Sequence, residues 1–134
     1  MSASNLIKIA DKLWSEVIRG RDQVCGWCRR RPTRQAHHIF GRRSRSTRWA
    51  LDNGVGICFG CHLRGHENPL DFHEHIRERL GAEKYDRLRV ASKMALKVDV
   101  QMTILYLRQF AKDNNIKVRG GEKQWGKYMP RVNG

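Results

Sequence analysis

AHHIFGRR, residues 36–43, places two histidines on adjacent positions and follows them with arginines. Gln35 to Phe40 and Val55 to Cys58 are short apolar pieces in an otherwise glycine- and arginine-rich stretch, 23–62. They read as the strands of a hairpin joined by a long basic loop. Neighbours on a strand point to opposite faces, so only one of His37 and His38 can look squarely into a given site. Such a pair divides labour: one histidine binds a metal ion, and the other stays free to take a proton.

Cysteines frame this stretch. Cys25-Gly-Trp-Cys28 and Cys58-Phe-Gly-Cys61 are two C-x-x-C pairs. That spacing lets two thiolates reach one tetrahedral ion from a tight turn, and two such turns complete a four-sulfur zinc site. Cysteines at this spacing in a reducing compartment read as metal ligands before disulfides. Structural Zn2+ is therefore expected. Four thiolates and one Zn2+ add two net negative charges, taking the formal +14 of the chain to +12. It stays strongly basic.

His62 follows Cys61 directly, and His66 lies four residues on. If 59–67 is helical, those two imidazoles share a face and can converge on one ion. Asn68-Pro69 suits the end of such a helix and the start of the next.

From Gln23 to Leu51 there is no acidic residue, but eight arginines: Arg29, Arg30, Arg31, Arg34, Arg42, Arg43, Arg45 and Arg48. The planar guanidinium grips phosphate oxygens in pairs. With a pI near 10.4, a polyanionic partner such as nucleic acid is expected. Arg34, Arg42, Arg43, Arg45 and Arg48 surround the histidine pair and are the expected DNA contacts. No apolar run is long enough for a membrane span and the first residues lack a cleavable apolar core, so a cytoplasmic protein without membrane partners is expected.

Outside the central motif the periodicity is helical. Leu6, Ile7, Ala10, Leu13, Trp14, Val17 and Ile18 predict an amphipathic helix over 5–20, with Ser4 or Asn5 as cap and Gly20 as stop. C-terminal helices are predicted over 69–113: one to Leu80 with Gly81 as its stop, then 82–97 and 100–113. Tyr85, Leu88, Ala95 and Leu96 mark one apolar face; Ile104, Leu107, Phe110 and Ala111 mark the other. The glycine-rich basic stretch 117–134 reads as a flexible tail. The fold class is α+β: a single domain, 1–116, whose motif core is 25–67. His73 and His75 are expected at the surface, and Trp27 and Trp49 beside the zinc or the hairpin.

Strand, long loop, strand and helix, with AHHIFGRR on the first strand, Asn53 in DNGVGIC and His62 and His66 in CHLRGHEN, resembles the HNH (ββα-metal) nucleases. The spacing of the histidines and Asn53 is similar to the active site of colicin-type DNase domains, which lack the cysteine frame. ADKLWSEVIRGRD (10–22) and FHEHIRERLGAEKYDRL (72–88) are similar to phage recombination nucleases of the NinG (Rap) type. The resemblance implies a ββα-metal core with two zinc knuckles, flanked by N-terminal and C-terminal helices. It implies that His38 is the general base that activates water, that Asn53 holds the loop and orients His38, and that His37, His62 and His66 ligate one divalent cation. Many members carry aspartate where this chain has His37. The more nitrogen-rich set admits Zn2+, Ni2+ or Mn2+ beside Mg2+, which favours oxygen.

The expected activity is metal-dependent endonucleolytic hydrolysis of DNA, in phage recombination or processing inside a bacterial host cell, with weak sequence specificity. Branched or single-stranded DNA is the implied substrate, and a homodimer is possible because a symmetric junction needs two sites. Nearby arginines should disfavour imidazolium and keep His38 basic. The rival class is a zinc-stabilised DNA-binding module without catalysis, such as a recombination accessory factor; it has no use for an unligated His38 or for Asn53.

Overall fold

In the computed structural model, which describes residues 2–119, a two-stranded antiparallel hairpin joins β1 (Gln35–His38) to β2 (Gly54–Ile57). The register pairs Gln35 with Ile57, Ala36 with Gly56, His37 with Val55 and His38 with Gly54. Residues paired across a ladder share a face. His37, Val55 and Ile57 therefore point one way, and Ala36, His38, Gly54 and Gly56 the other.

The alternation Gly-Val-Gly-Ile in β2 follows from what lies on each side. Val55 and Ile57 enter a core with Cys25, Trp27, Ile39, Cys58, Cys61, Phe72, Ile76 and Leu88. On the glycine face helix α1 (Ala3–Arg21) presses close. A Cβ on Gly54 would stand 2.6 Å from both Trp14 and Ile18, and one on Gly56 would stand 2.9 Å from the Asp22 carbonyl oxygen. Glycine permits that approach.

Ser2 caps α1, its Oγ accepting from Asn5 N at 3.2 Å, so the helix starts earlier than Ser4 or Asn5 would have it. Gly20 does not stop it either. The Ile116 side chain occupies the place a Cβ of Gly20 would take, and the helix runs on to Arg21. Ile9, Ala10, Leu13, Trp14 and Ile18 form a second core with Trp49 and with Ile104 and Leu107 of the last helix.

The basic loop is not bare. It contains one helical turn, α2 (Arg45–Arg48), and a 3-10 turn over Leu51–Asn53. Beyond β2, α3 (Phe59–Glu67) ends at Asn68, and α4 (Pro69–Leu80) begins with proline in its first turn. Gly81, at φ +89°, makes the left-handed turn into α5 (Ala82–Lys93). That helix stops short of the expected residue 97. Ser46 explains the stop: its hydroxyl donates to the Met94 carbonyl at 2.6 Å and accepts from Leu96 N at 3.2 Å, drawing the chain out of helical geometry. Ala95 and Leu96 are consequently exposed rather than on an apolar face.

The last helix, α6 (Val100–Asp113), packs along α1. The segment after it is held past residue 117: Val118 packs on the second core, and Arg119 N donates to Glu16 Oε2 at 2.6 Å. Residues 120–134 of the expected tail lie outside the described residues. The described chain is thus mixed α/β, with six helices and one small sheet. Among the described residues, no helix is long and apolar enough to cross a membrane.

Candidate metal centre and histidine site

The four cysteine sulfurs come from two turns, one before β1 and one at the start of α3, and all lie within 4.8 Å of one another. Cys28 Sγ and Cys58 Sγ are 3.9 Å apart. The first turn closes through Arg29, whose φ of +57° is left-handed, with Arg29 N donating to the Cys25 carbonyl at 3.0 Å. Backbone N–H groups point at the sulfurs: Trp27 N at Cys25 and Cys61 N at Cys58, both at 3.4 Å. N–H groups of Arg30 and Arg31 pull the Cys28 thiol down to about 6, whereas burial pushes Cys61 up to about 12. A cation among the sulfurs removes the remaining protons outright. Four soft donors steadied by N–H groups fit a closed tetrahedral ion such as zinc.

The knuckle is braced from α4. His75 Nε2–H donates to the Gly26 carbonyl at 2.9 Å, and its ring stacks on Trp27 with centroids 6.1 Å apart. His73 Nδ1 pairs with the Tyr85 hydroxyl at 2.8 Å. Both histidines are half-buried and hydrogen-bonded, where a surface position was expected of them, and among the described residues neither belongs to the cluster that could hold a metal ion. Trp27 does sit beside the cysteines, under the Arg64 guanidinium at 4.3 Å from its ring centroid. Trp49 is buried on the other side of the hairpin, its indole N–H donating to Asp11 Oδ1 at 2.9 Å.

The adjacent histidines separate as strand geometry requires. His37 turns toward α3 and α4: its ring meets Phe72 edge-on at 4.8 Å, His62 at 5.3 Å and His66 at 6.0 Å between centroids. His62 and His66 point their Nε2 atoms at each other, 2.9 Å apart. Two nitrogens sharing one cation at bonds of about 2.0–2.1 Å stand roughly 3.3 Å apart, so this pair is close to a ligating arrangement. His37 stands further off: among the described residues, the four cysteines are the group of three or more donors close enough to hold one ion, and the three imidazoles are not drawn together to that degree. Burial, with the neighbouring imidazoles adding repulsion, pushes His37 down to about 4. Burial and then His66 lower His62 as well. Neutral imidazole is the form that can ligate.

His38 lies on the α1 face. Its ring stacks flat on Trp14, centroids 3.9 Å apart and planes 11° apart. Its Nε2 is 2.9 Å from the Arg48 carbonyl oxygen. A carbonyl can only accept, so Nε2 carries the proton and Nδ1 of the neutral ring is left as the acceptor. Burial is the first cause holding this imidazole below its ordinary value, and the charges of Arg42 and Arg48 add to it. The Arg48 carbonyl and the Asp11 carboxylate act the other way. The arginine effect expected from the sequence is therefore present but secondary to burial.

Asn53 is 0% exposed. Its Oδ1 accepts from Phe40 N at 2.8 Å, and its Nδ2 donates to the Phe40 and Thr47 carbonyls, both at 2.9 Å. With Ile39 N donating to the Asn53 carbonyl at 2.8 Å, it ties the end of β1 to the turn before Arg48. It holds the loop through these bonds, none of which goes to His38, and its side chain reaches only the residue before Arg48.

Arg34, Arg42, Arg43 and Arg45 are exposed. Arg48 differs: only 17% of its side chain is exposed, and Asp11 takes its Nε at 2.9 Å and its Nη2 at 2.6 Å. Arg42 reaches the same carboxylate at 3.1 Å. The stretch without acids is thus partly balanced from α1. Asp11 and Trp14 are the residues that sequence reasoning missed as parts of this site. Their signal was an acid and an indole at i and i+3 on the buried edge of an amphipathic helix.

Comparison with known protein families, with curated proteins and with solved structures finds no match to this chain.

Proposed function

We propose that this chain is a metal-dependent DNA endonuclease of the HNH type. His38 is its general base, with Nδ1 taking a proton from water while Nε2–H stays anchored on the Arg48 carbonyl. His62 and His66, completed by His37, hold one divalent cation, which supplies charge stabilisation at phosphorus and on the leaving oxygen. The cysteines hold structural Zn2+ and fix the start of α3, on which His62 sits. Asn53 and the Asp11–Arg48 pair keep the loop in register with the hairpin. Exposed Arg34, Arg42, Arg43 and Arg45 contact phosphates, which carries affinity without sequence information. Weak sequence specificity is expected of such contacts, and a place in phage recombination or DNA processing is what the sequence resemblance implies.

One observation carries the reading. The hairpin sends His37 into an imidazole cluster and His38 to the opposite face, with one ring nitrogen engaged and the other available. A protein that only bound DNA would need neither arrangement.

The test is nicking of a supercoiled circle with Mg2+, Mn2+, Ni2+ and Zn2+ in turn. The wild type is expected to cut with at least one ion, and His38→Ala to lose cutting while keeping zinc content and DNA affinity. Binding without cutting under every ion would establish the rival, non-catalytic DNA-binding module.

A further inference from the structure

Helix α1 reaches one imidazole directly through Trp14 and indirectly through Asp11. Trp14 lies flat against His38, and its own Nε1–H is anchored on the Ala50 carbonyl at 3.0 Å. One turn earlier, Asp11 receives donors from three residues of the loop: Arg48 through Nε and Nη2, Trp49 through its indole N–H, and Arg42. Arg48 and Trp49 bracket the peptide whose carbonyl holds His38 Nε2–H. The carboxylate therefore fixes the position of that carbonyl from both of its flanking side chains.

We propose that Asp11 and Trp14 are positioning residues for His38: Trp14 sets the plane of the imidazole, and Asp11 fixes the Arg48 carbonyl that sets its rotation and tautomer. This rests on the nuclease reading, and it makes α1 part of the catalytic apparatus as well as of the core. Asp11 is mostly buried, with 24% side-chain exposure, and its removal leaves the Arg48 guanidinium and the buried Trp49 N–H without their acceptor. The expected result is a freed carbonyl in a less stable chain that still folds, so folded fraction and zinc content are measured beside activity. A tilted or rotated base is expensive, because reacting atoms must meet within a few tenths of an ångström.

The experiment uses the full, zinc-loaded chain as wild type, Asp11→Ala, Trp14→Leu and Trp14→Phe. Nicking is measured under single-turnover conditions, and the His38 ring nitrogens are followed in long-range 1H–15N spectra at a pH where the ring is neutral. Wild-type His38 is expected as the single Nε2–H tautomer. In Asp11→Ala the two tautomers are expected to mix and the single-turnover cleavage rate, and with it kcat, to fall roughly 10- to 100-fold, with DNA affinity and zinc content unchanged. Trp14→Phe keeps a flat ring and should retain more activity than Trp14→Leu. An Asp11→Ala protein with wild-type kcat and an undivided tautomer overturns the proposal. So does a kcat loss that matches a loss of folded, zinc-loaded protein. If the wild type cuts no DNA, the nuclease reading falls, while the Asp11→Ala spectrum still decides whether α1 holds the ring.

Discussion

Asp22 shows how a single buried carboxylate ties sequence-distant parts together. It closes α1, accepts from Gly56 N of β2 at 2.9 Å, and is paired by Arg21 at 2.8 Å and by Arg79 of α4 at 3.7 Å. Burial pulls its carboxyl upward, but the hydrogen bonds from Arg21 and Gly56 and the two arginine charges outweigh that and hold it below 3.8. A depressed carboxyl stabilises the fold fully above its unfolded value, and the contribution is lost as pH falls through the folded value. Asp22→Asn is therefore expected to cost about 2 kcal/mol at neutral pH. Thermal melts of variant and wild type should converge as pH drops below 3.8. Asn53 is a second such residue. Asn53→Ala leaves the Phe40 N–H without its side-chain acceptor and frees the Thr47 carbonyl, so it is expected to destabilise by about 1–3 kcal/mol and to lower cutting through a displaced Arg48. Denaturant melts and nicking rates check both effects. The loop-holding part expected of Asn53 is what its bonds show, but its partners were not legible, because a fully buried amide takes its role from backbone groups that no side-chain spacing reveals.

At the scale of elements, glycine spacing controls how α1 meets the hairpin. A Cβ at Gly56 would lie 2.6 Å from Thr33 and 2.8 Å from Asp22, atoms held by backbone and by the ion pair. Gly56→Ala is expected to cost about 1–3 kcal/mol by overpacking, read as a lowered denaturant midpoint. The hairpin, α3 and the first turn of α4 were readable from alternation, from the C-x-x-C turns and from Asn68-Pro69. Element ends were less readable, since they depend on contacts made elsewhere. β1 yields to Asn53 after His38, α5 is turned aside by Ser46, and Gly20 admits Ile116 instead of ending its helix. The cysteine turns belong to the same scale. Both knuckles brace the hairpin through one cluster, so a chelator that strips zinc is expected to loosen α3 and α4 before α1 and α6. Amide exchange of the two helix pairs, compared with and without chelator, measures that order.

Across the whole molecule, two layers of helices grip one small sheet, and the sheet delivers its two histidines to different layers. One layer carries the imidazole cluster and the sulfurs; the other carries Trp14, Asp11 and the anchored His38. The arginines divide accordingly. On the proposed reading exposed Arg43 contacts phosphate, and its conversion to alanine should weaken DNA binding and reduce the slope of log K against log salt by about one. Arg48, engaged by Asp11, should leave that slope unchanged on conversion to alanine and lower kcat instead. Both are read from binding isotherms across a salt series, with cleavage rates in parallel. The composition announced the charge, but not which arginines were spoken for, because Asp11 lies far away in the chain.

Chemical rescue tests the role of His38 most directly. His38→Ala removes an imidazole that stacks flat on Trp14, leaving space of the same shape. Nicking by His38→Ala, with the ion that supports the wild type, should be restored by added imidazole in proportion to its neutral form. Cutting by His38→Ala at the wild-type rate without imidazole, or cutting that no concentration of imidazole restores in a folded, zinc-loaded variant, would contradict His38 as the base.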